Sequence, residues 1–461
     1  MCLIKENCGI AGVYNNKHSA EIIYLSLFSL QHRGQESCGI VVCDGNTVNI
    51  KKEMGTVSEV FKDSILSSLK GSFGIGHVRY STTGSSSSKN IQPFFSEYRG
   101  KPYAIAHNGN IVNSHLLREK FEKRGSIFQT TLDTEILMHL ITISKKTTFK
   151  DKLLDALSKL KGAFAFVILT PDGIIAVKDP WDFRPLCLGK VENGYVVASE
   201  SCAFDLIGAR YIRELLPGEI IFINKDGIES LYLPQKKISR CIFEFIYFAR
   251  PDSNIFGTSV YNARKNLGER IAEEFPYSGD IVIPIPDSGS IAALGFSQKR
   301  GIPFEMGIVR NHYIGRTFIQ PFQVSREVGV KVKLNPIRNV IKGKDIIIVE
   351  DSIVRGTTSR LRIKNLRDAG AKRIFMAVSC PPIKYPCFYG IDFPSSKELI
   401  ASRYSVKDIA KEIGVDGLYY LSLDGMLSAI GLPEKEFCTA CFTGNYVIKN
   451  NTFKGKEQFE L

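Results

Sequence analysis

The chain has 461 residues, 44% hydrophobic and 23% charged, with a formal charge of +13. That is the composition of an ordinary globular protein, and at about 150 residues per domain it predicts two or three domains. No segment approaches the roughly 18 consecutive apolar residues of a membrane span, and no apolar or Arg/Ser-rich leader opens the chain, so the sequence predicts a cytoplasmic protein without a membrane partner. The basic residues are spread along the chain and no nucleic-acid motif is recognised, so no nucleic-acid partner is expected. The charge instead fits Lys-rich surface (KKEMG, ISKK, KNNTFKGK) or an anionic small-molecule substrate. Eleven cysteines at irregular spacing leave metal ligation, nucleophilic catalysis or plain burial as their uses, because disulfides are disfavoured in such a compartment.

The chain opens MCLIKENCGIAGVYNN. Cys8 is either a small apolar residue starting a core strand or, if residues 1–7 are removed as a propeptide, an N-terminal nucleophile. A free α-amino group titrates near roughly 7.7–8.0 and can take the thiol proton at neutral pH. From residue 8 to about 235, β-like runs (GIAGVYN, GIVVCDG, SFGIGHVRY, YAIAHNGNIV, AFAFVIL, GIIAVKD, GYVVASE) alternate with two helical patterns, EIIYLSLFSL and DTEILMHLITIS. This predicts a layered α+β domain. HNGN at 107–110 reads as a tight turn carrying a side-chain amide, Arg79 as a strand arginine and Asp133 as a helix N-cap. A cation and an anion are also what an amino-acid zwitterion needs.

The boundary is expected within 233–253. Beyond it, DIVIPIP and KDIIIVED are continuously apolar short runs with helical segments between and after them, the pattern of a parallel α/β domain over 250–430. In KDIIIVEDSIVRGTTSR a strand ends in Glu350 and Asp351, and the loop Ser352–Thr358 runs into a helix. Backbone N–H groups and hydroxyls at a helix N-terminus make an anion site, and Gly356 permits close backbone approach. The two carboxylates can organise ribose hydroxyls or a divalent ion. CTAC places Cys438 and Cys441 two residues apart in a C-terminal segment, 431–461, a spacing open to zinc or redox chemistry.

VEDSIVRGTTSR resembles the PRPP-binding motif of type I phosphoribosyltransferases, and in particular that of the amidophosphoribosyltransferase family, which usually has Asp where Glu350 stands. The resemblance runs in the family's order from Cys8 to about Phe442. It implies an N-terminal-nucleophile hydrolase αββα sandwich over 8–235, followed by a type I phosphoribosyltransferase domain with a central parallel sheet. By resemblance, Cys8 is the nucleophile that cleaves glutamine through a thioester, and Asn108 and Gly109 form the oxyanion hole. Arg79, Thr82 and Asp133 hold the glutamine zwitterion, and Arg33 in QHRGQES lines the site. Asp287, Ser288, Arg316, Lys333, Glu350, Asp351, Ser352, Arg355, Gly356, Thr357 and Thr358 are implied to bind PRPP. Ser288, Glu350 and Asp351 are implied to line one Mg²⁺ per subunit. Cys241, Cys387, Cys438 and Cys441 match the [4Fe-4S] subset of the family, with zinc as the alternative for four thiolates. The implied reaction is PRPP, glutamine and water to 5-phospho-β-D-ribosylamine, glutamate and pyrophosphate, with ammonia passed internally. A homotetramer inhibited by purine nucleotides is the family's usual form. Two other classes share parts of this pattern: another amidotransferase of the same N-terminal type, such as glucosamine-6-phosphate synthase, and a non-catalytic PRPP-binding regulator. The phosphate motif argues against the first, and the presence of Cys8, Arg79, Asn108 and Asp133 against the second.

Overall fold

The computed structural model describes residues 8–81, 84–311, 334–391, 393, 395–449 and 459. The β-like runs of the first half form two antiparallel sheets. One holds seven strands in the order Arg210–Glu214, Cys187–Val191, Gly194–Ala198, Gly9–Tyr14, Phe73–Arg79, Ser37–Cys43 and Val48–Met54. The other holds six, in the order Gly227–Tyr232, Glu219–Asn224, Gly173–Lys178, Gly162–Thr170, Lys101–Ile111 and Phe94–Tyr98. Strand alternation gives each sheet two buried faces here. Ile10, Val41, Ile75, Ala106, Val167 and Val197 fill the space between the sheets. The outer face of the first sheet takes helix Ser19–Ser29 through Ile23 and Leu27. The outer face of the second takes helices Glu135–Ile143 and Phe149–Ser158 through Ile136, Leu140, Leu153 and Leu157. The result is the expected αββα sandwich.

The apolar runs of the second half are parallel strands in the order Ile281–Pro284, Asp345–Glu350, Arg373–Val378 and Gly417–Tyr420. Strands buried on both faces need no polar alternation, which is why IVIP and DIIIVE read as unbroken apolar runs. Helices Val260–Glu274, Ser290–Arg300, Thr357–Asp368 and Val406–Ile413 bury Leu267, Phe296, Ile363 and Ile409 against them.

Leu233 belongs to the core of the first half and Cys241 to that of the second. Between them residues 234–239 carry no helix or strand, and the chain that follows is packed. Arg240–Cys241 pairs in parallel with Phe437–Cys438, and Glu244–Phe248 forms a π-helical turn whose side chains are largely buried. Among the described residues no helix is long and apolar enough to cross a membrane.

Candidate active sites and cysteine centre

Cys8 immediately precedes a strand in which Gly9 pairs with Val78 and Ile10 with His77. That register sets Cys8 beside the end of the neighbouring strand, and its Sγ donates to the Tyr80 carbonyl at 3.4 Å. The thiol is 4% exposed. Burial pushes its pKa up to about 11, while the nearby Arg79 guanidinium pulls it down. Arg79 is itself buried and donates to the Ser85 and Gly84 carbonyls at 3.2 and 3.1 Å.

The second sheet supplies the other wall. His77 Nε2 donates to the His107 carbonyl at 3.0 Å, bridging the two sheets. Burial pushes His77 down to about 3, so the ring that makes this bridge is neutral. The next residue, Asn108, is wholly buried, and neither end of its side-chain amide has a hydrogen-bond partner among the described residues. A buried unpaired polar group costs about 1–3 kcal/mol, so an amide left waiting in this position points to a ligand. Gly109 follows with φ of +145°, and a Cβ there would lie 2.1 Å from the Ala163 oxygen. Only glycine fits. Asp133 closes this wall, accepting from the Ile111 N–H at 2.8 Å and standing 3.4 Å from His107 Nδ1. The structure therefore gathers Cys8, Arg79 and Asp133 electrostatically around one point. Glu36 joins them, and its carboxylate also accepts from the Ser81 N–H at 3.0 Å. Thr82 lies outside the described residues.

Arg33 stands behind Cys8. Its Nε donates to the Cys8 carbonyl at 3.2 Å, and its other nitrogens bond Glu200 at 2.5 Å and Glu244 at 2.8 and 2.9 Å. Glu244 also accepts from Arg184 at 3.0 Å. All four side chains are fully buried. Burial works against ionisation of Glu200, yet His32 and Arg33 outweigh it and hold the carboxyl well below its usual range. Sequence reasoning found Arg33 but missed Glu200, Glu244 and Arg184. The available signal was a lone acid inside an apolar run, Glu244 in CIFEFIYF, since charges are almost never buried unless paired.

In the second half, the strand Asp345–Glu350 delivers the two acids at its C-terminal end. Asp351 is buried, bonded by the Ser288 and Ser352 hydroxyls, the latter at 2.7 Å, and burial raises its pKa. Glu350 is also buried and its pKa rises to about 7, although Arg362 of the following helix bonds both its oxygens at 3.2 and 2.9 Å. The sequence did not reveal this pairing. Gly356, at φ +74°, turns the chain into the helix Thr357–Asp368, placing Thr357 and Thr358 in its first turn. Asp287 is paired with Arg310, and Arg355 with Glu398 at 2.6 Å. Arg316 and Lys333 lie outside the described residues.

The four cysteines of the resemblance meet. Cys241 and Cys438 are register partners on the short parallel ladder, Cys441 follows within helix Ala440–Thr443, and Cys387 comes from the turn after Pro386. All four line one cavity, closed by Phe183, Phe243, Tyr389 and Tyr446. Burial pushes every one of these thiols up, Cys241 to about 12, and the Arg184 guanidinium opposes this at Cys241, Cys387 and Cys438. Among the described residues, no three His, Cys, Asp or Glu side chains stand close enough to hold a metal ion. Cys38, Cys43, Cys187, Cys202 and Cys380 are buried and free.

An αββα sandwich with a cysteine at its head strand, joined to a parallel sheet with a strand-acid-acid-loop-helix anion site, defines a glutamine amidotransferase fused to a phosphoribosyltransferase-like half. Residues 77–205 match the family model for a glutamine amidotransferase domain. The chain is 50% identical to amidophosphoribosyltransferase 1, chloroplastic, of Arabidopsis thaliana over 98% of its own length and 80% of that protein. It is 48% identical to the amidophosphoribosyltransferase of Bacillus subtilis over 96% and 94%. Among solved structures it superposes with TM-score 0.93, at 47% identity, on the allosteric regulatory enzyme of purine biosynthesis, covering 98% of this chain and 99% of that one. It also matches, with TM-score 0.90, glutamine PRPP amidotransferase from B. subtilis complexed with ADP and GMP, at 47% identity and over 95% and 97% of the two chains. The chain belongs to the amidophosphoribosyltransferase family.

Proposed function

We propose that this enzyme carries out the first step of purine synthesis, converting glutamine, PRPP and water to 5-phospho-β-D-ribosylamine, glutamate and pyrophosphate. The observation that carries the reading is the wholly buried Asn108 amide, without a partner among the described residues, on the strand that faces Cys8. Removal of residues 1–7 would free the Cys8 α-amino group, which takes the Sγ proton as the thiolate attacks the glutamine amide carbon. Asn108 Nδ2 and the Gly109 N–H take the developing oxyanion. Such donors are worth on the order of 3–4 kcal/mol each in the transition state. The C–N bond breaks, ammonia leaves, and water hydrolyses the thioester to glutamate. Arg79 takes the substrate α-carboxylate and Asp133 its α-ammonium, a task the resemblance also assigns to Thr82, while Arg33 fixes the Cys8 carbonyl from behind.

Ammonia then passes internally to the second site, where Ser352–Thr358 hold the 5-phosphate, Asp351 the ribose and Asp287–Ser288 the pyrophosphate. Arg316 and Lys333 add charge to the leaving group. Asp351 with its Ser288 hydroxyl offers the hard oxygens a Mg²⁺ prefers. Glu350 joins them only if Arg362 releases it. Bound there, the ion neutralises the leaving pyrophosphate. The four thiols around one cavity fit the four-thiolate set of a [4Fe-4S] cluster, with zinc the alternative, and Arg184 would offset part of its negative charge. Purine nucleotides as inhibitors, a homotetramer and a cytoplasmic location complete the reading. The domain limits proposed with it are 8–235, 250–430 and a cysteine-bearing segment from 431.

The test is glutamate release by anaerobically purified protein with and without PRPP and Mg²⁺. Glutamate formed in step with PRPP loss is the expected result. Release indifferent to PRPP would remove the phosphoribosyl assignment.

A further inference from the structure

The turn that carries Cys387 leans on the strand that carries Asn108 and Gly109, 278 residues away in sequence. The Phe388 carbonyl accepts from Asn110 Nδ2 at 2.8 Å. The Tyr389 carbonyl accepts from Arg184 Nη2 at 2.6 Å, and the Tyr389 ring packs 4.4 Å from that of Phe183. The Tyr389 hydroxyl accepts from the Ile448 N–H at 2.9 Å and sits 3.2 Å from the Ile448 carbonyl. The turn is thus pinned on several sides.

Gly390 ends it, at φ +103°, and a Cβ there would lie 3.0 Å from the Gly109 carbonyl carbon, 3.1 Å from Gly109 Cα and 3.1 Å from Arg184 Nη2. The two glycines meet backbone to backbone. Gly109 therefore has Ala163 against it within its own sheet and Gly390 against it from the other half. Its peptide plane cannot rotate without displacing one of them, and close-packed interiors resist such displacement.

We infer that the Phe388–Gly390 turn is a positioning element for glutamine hydrolysis. Asn110 anchors the strand to the turn, Gly390 braces Gly109, and together they fix the direction of the Gly109 N–H. The cysteine centre, through Cys387, thereby sets the geometry of a reaction in which its own atoms take no part. The inference rests on the reading of Asn108 and Gly109 as oxyanion donors.

The test uses the full-length protein with Asn110→Ala and Gly390→Ala. Misaiming one donor removes part of the roughly 10²–10³-fold that its deletion removes, so kcat for glutamine hydrolysis is expected to fall about tenfold. KM for glutamine should stay within about twofold, since Arg79 and Asp133 are untouched. Ammonia-dependent phosphoribosylamine synthesis and iron content should not change. An aldehyde analogue of glutamine, which forms a hemithioacetal oxyanion on Cys8, should lose affinity in the same ratio as kcat. Amide hydrogen exchange over residues 107–111 should rise. Unchanged kcat in both variants overturns the inference. So does a parallel loss of kcat, ammonia-dependent activity and iron, which marks a folding contact alone. Asn108→Ala separates this from the underlying reading: full turnover in that variant removes the oxyanion assignment itself. Loss there with no effect of Asn110→Ala or Gly390→Ala removes the positioning role and leaves the assignment standing.

Discussion

The two candidate sites handle their polar groups in opposite ways. In the glutamine site the Asn108 amide is buried and unpaired, and Arg79 and Asp133 are held in place largely by backbone groups. In the phosphate site each charged group that is described answers another protein charge or hydroxyl: Glu350 answers Arg362, Asp287 answers Arg310, Arg355 answers Glu398 and Asp351 answers two serines. The first site is already desolvated and waits for its substrate. The second is satisfied without one, and a polyanionic ligand must exchange those partners for itself. A preorganised site suits a reaction whose charge develops briefly on one oxygen. A self-satisfied site suits a ligand that brings several charges and must be released again as pyrophosphate.

The comparison breaks first at Cys8. Cys8→Ala should abolish glutamine-dependent turnover, a fall of at least about 10³-fold in kcat, while ammonia-dependent synthesis in the second half continues; a coupled assay with each nitrogen donor checks both. Next comes the ion network that backs the nucleophile. Glu244→Gln leaves Arg33 and Arg184 buried with too little counter-charge, and breaking such a network costs about 3–5 kcal/mol. Urea unfolding should register a loss of that size.

Asn108→Ala should lower kcat by roughly 10²–10³-fold without loss of Tm, because the variant removes a buried amide that had no partner. A fall in Tm would mean that the amide is satisfied in solution. At the second site, Arg362→Leu removes the cation that holds the buried Glu350 carboxyl down, so that carboxyl should titrate higher and the half-saturating Mg²⁺ concentration should rise severalfold near neutral pH. Manganese binding followed by electron paramagnetic resonance checks it without turnover.

The smallest effect is in pH. The Glu200 carboxyl lies below its ordinary value of 4.5 in the folded state. Its contribution to stability is present above that value and is lost as pH falls below it. Glu200→Gln should therefore flatten the stability profile between about pH 5 and pH 3, as read by chemical denaturation.

What the sequence revealed and what it concealed divide along the same line. Cys8, Asn108, Arg79 and Asp133 lie within short motifs whose chemistry is local, and the Ser352–Thr358 loop follows a strand and opens a helix. A layered α+β domain followed from the grouping of β-like runs around two helical patterns, and its αββα order from the family resemblance. The Arg33–Glu244 pair spans 211 residues and Asn110–Phe388 spans 278. No periodicity or spacing carries contacts of that range, because they are set by how the two halves close on each other. Glu350 was read as a strand-end acid, but its burial and its partner Arg362, in the second turn of the following helix, were not signalled by any local pattern. Within 233–253, read as a boundary, residues 234–237 are exposed and carry no helix or strand, while the apolar residues from Cys241 on are buried against strands and helices far along the chain.

The short ladder between Arg240–Cys241 and Phe437–Cys438 has a consequence for the order of synthesis. The sandwich is complete in sequence once Tyr232 has left the ribosome, and domains generally fold as units during translation. The ladder and the thiol ring beside it must wait for nearly two hundred further residues. Through that interval Cys241 and the apolar CIFEFIYF stretch have neither partner strand nor cavity, which leaves a thiol and a hydrophobic run open to oxidation and to chaperone capture.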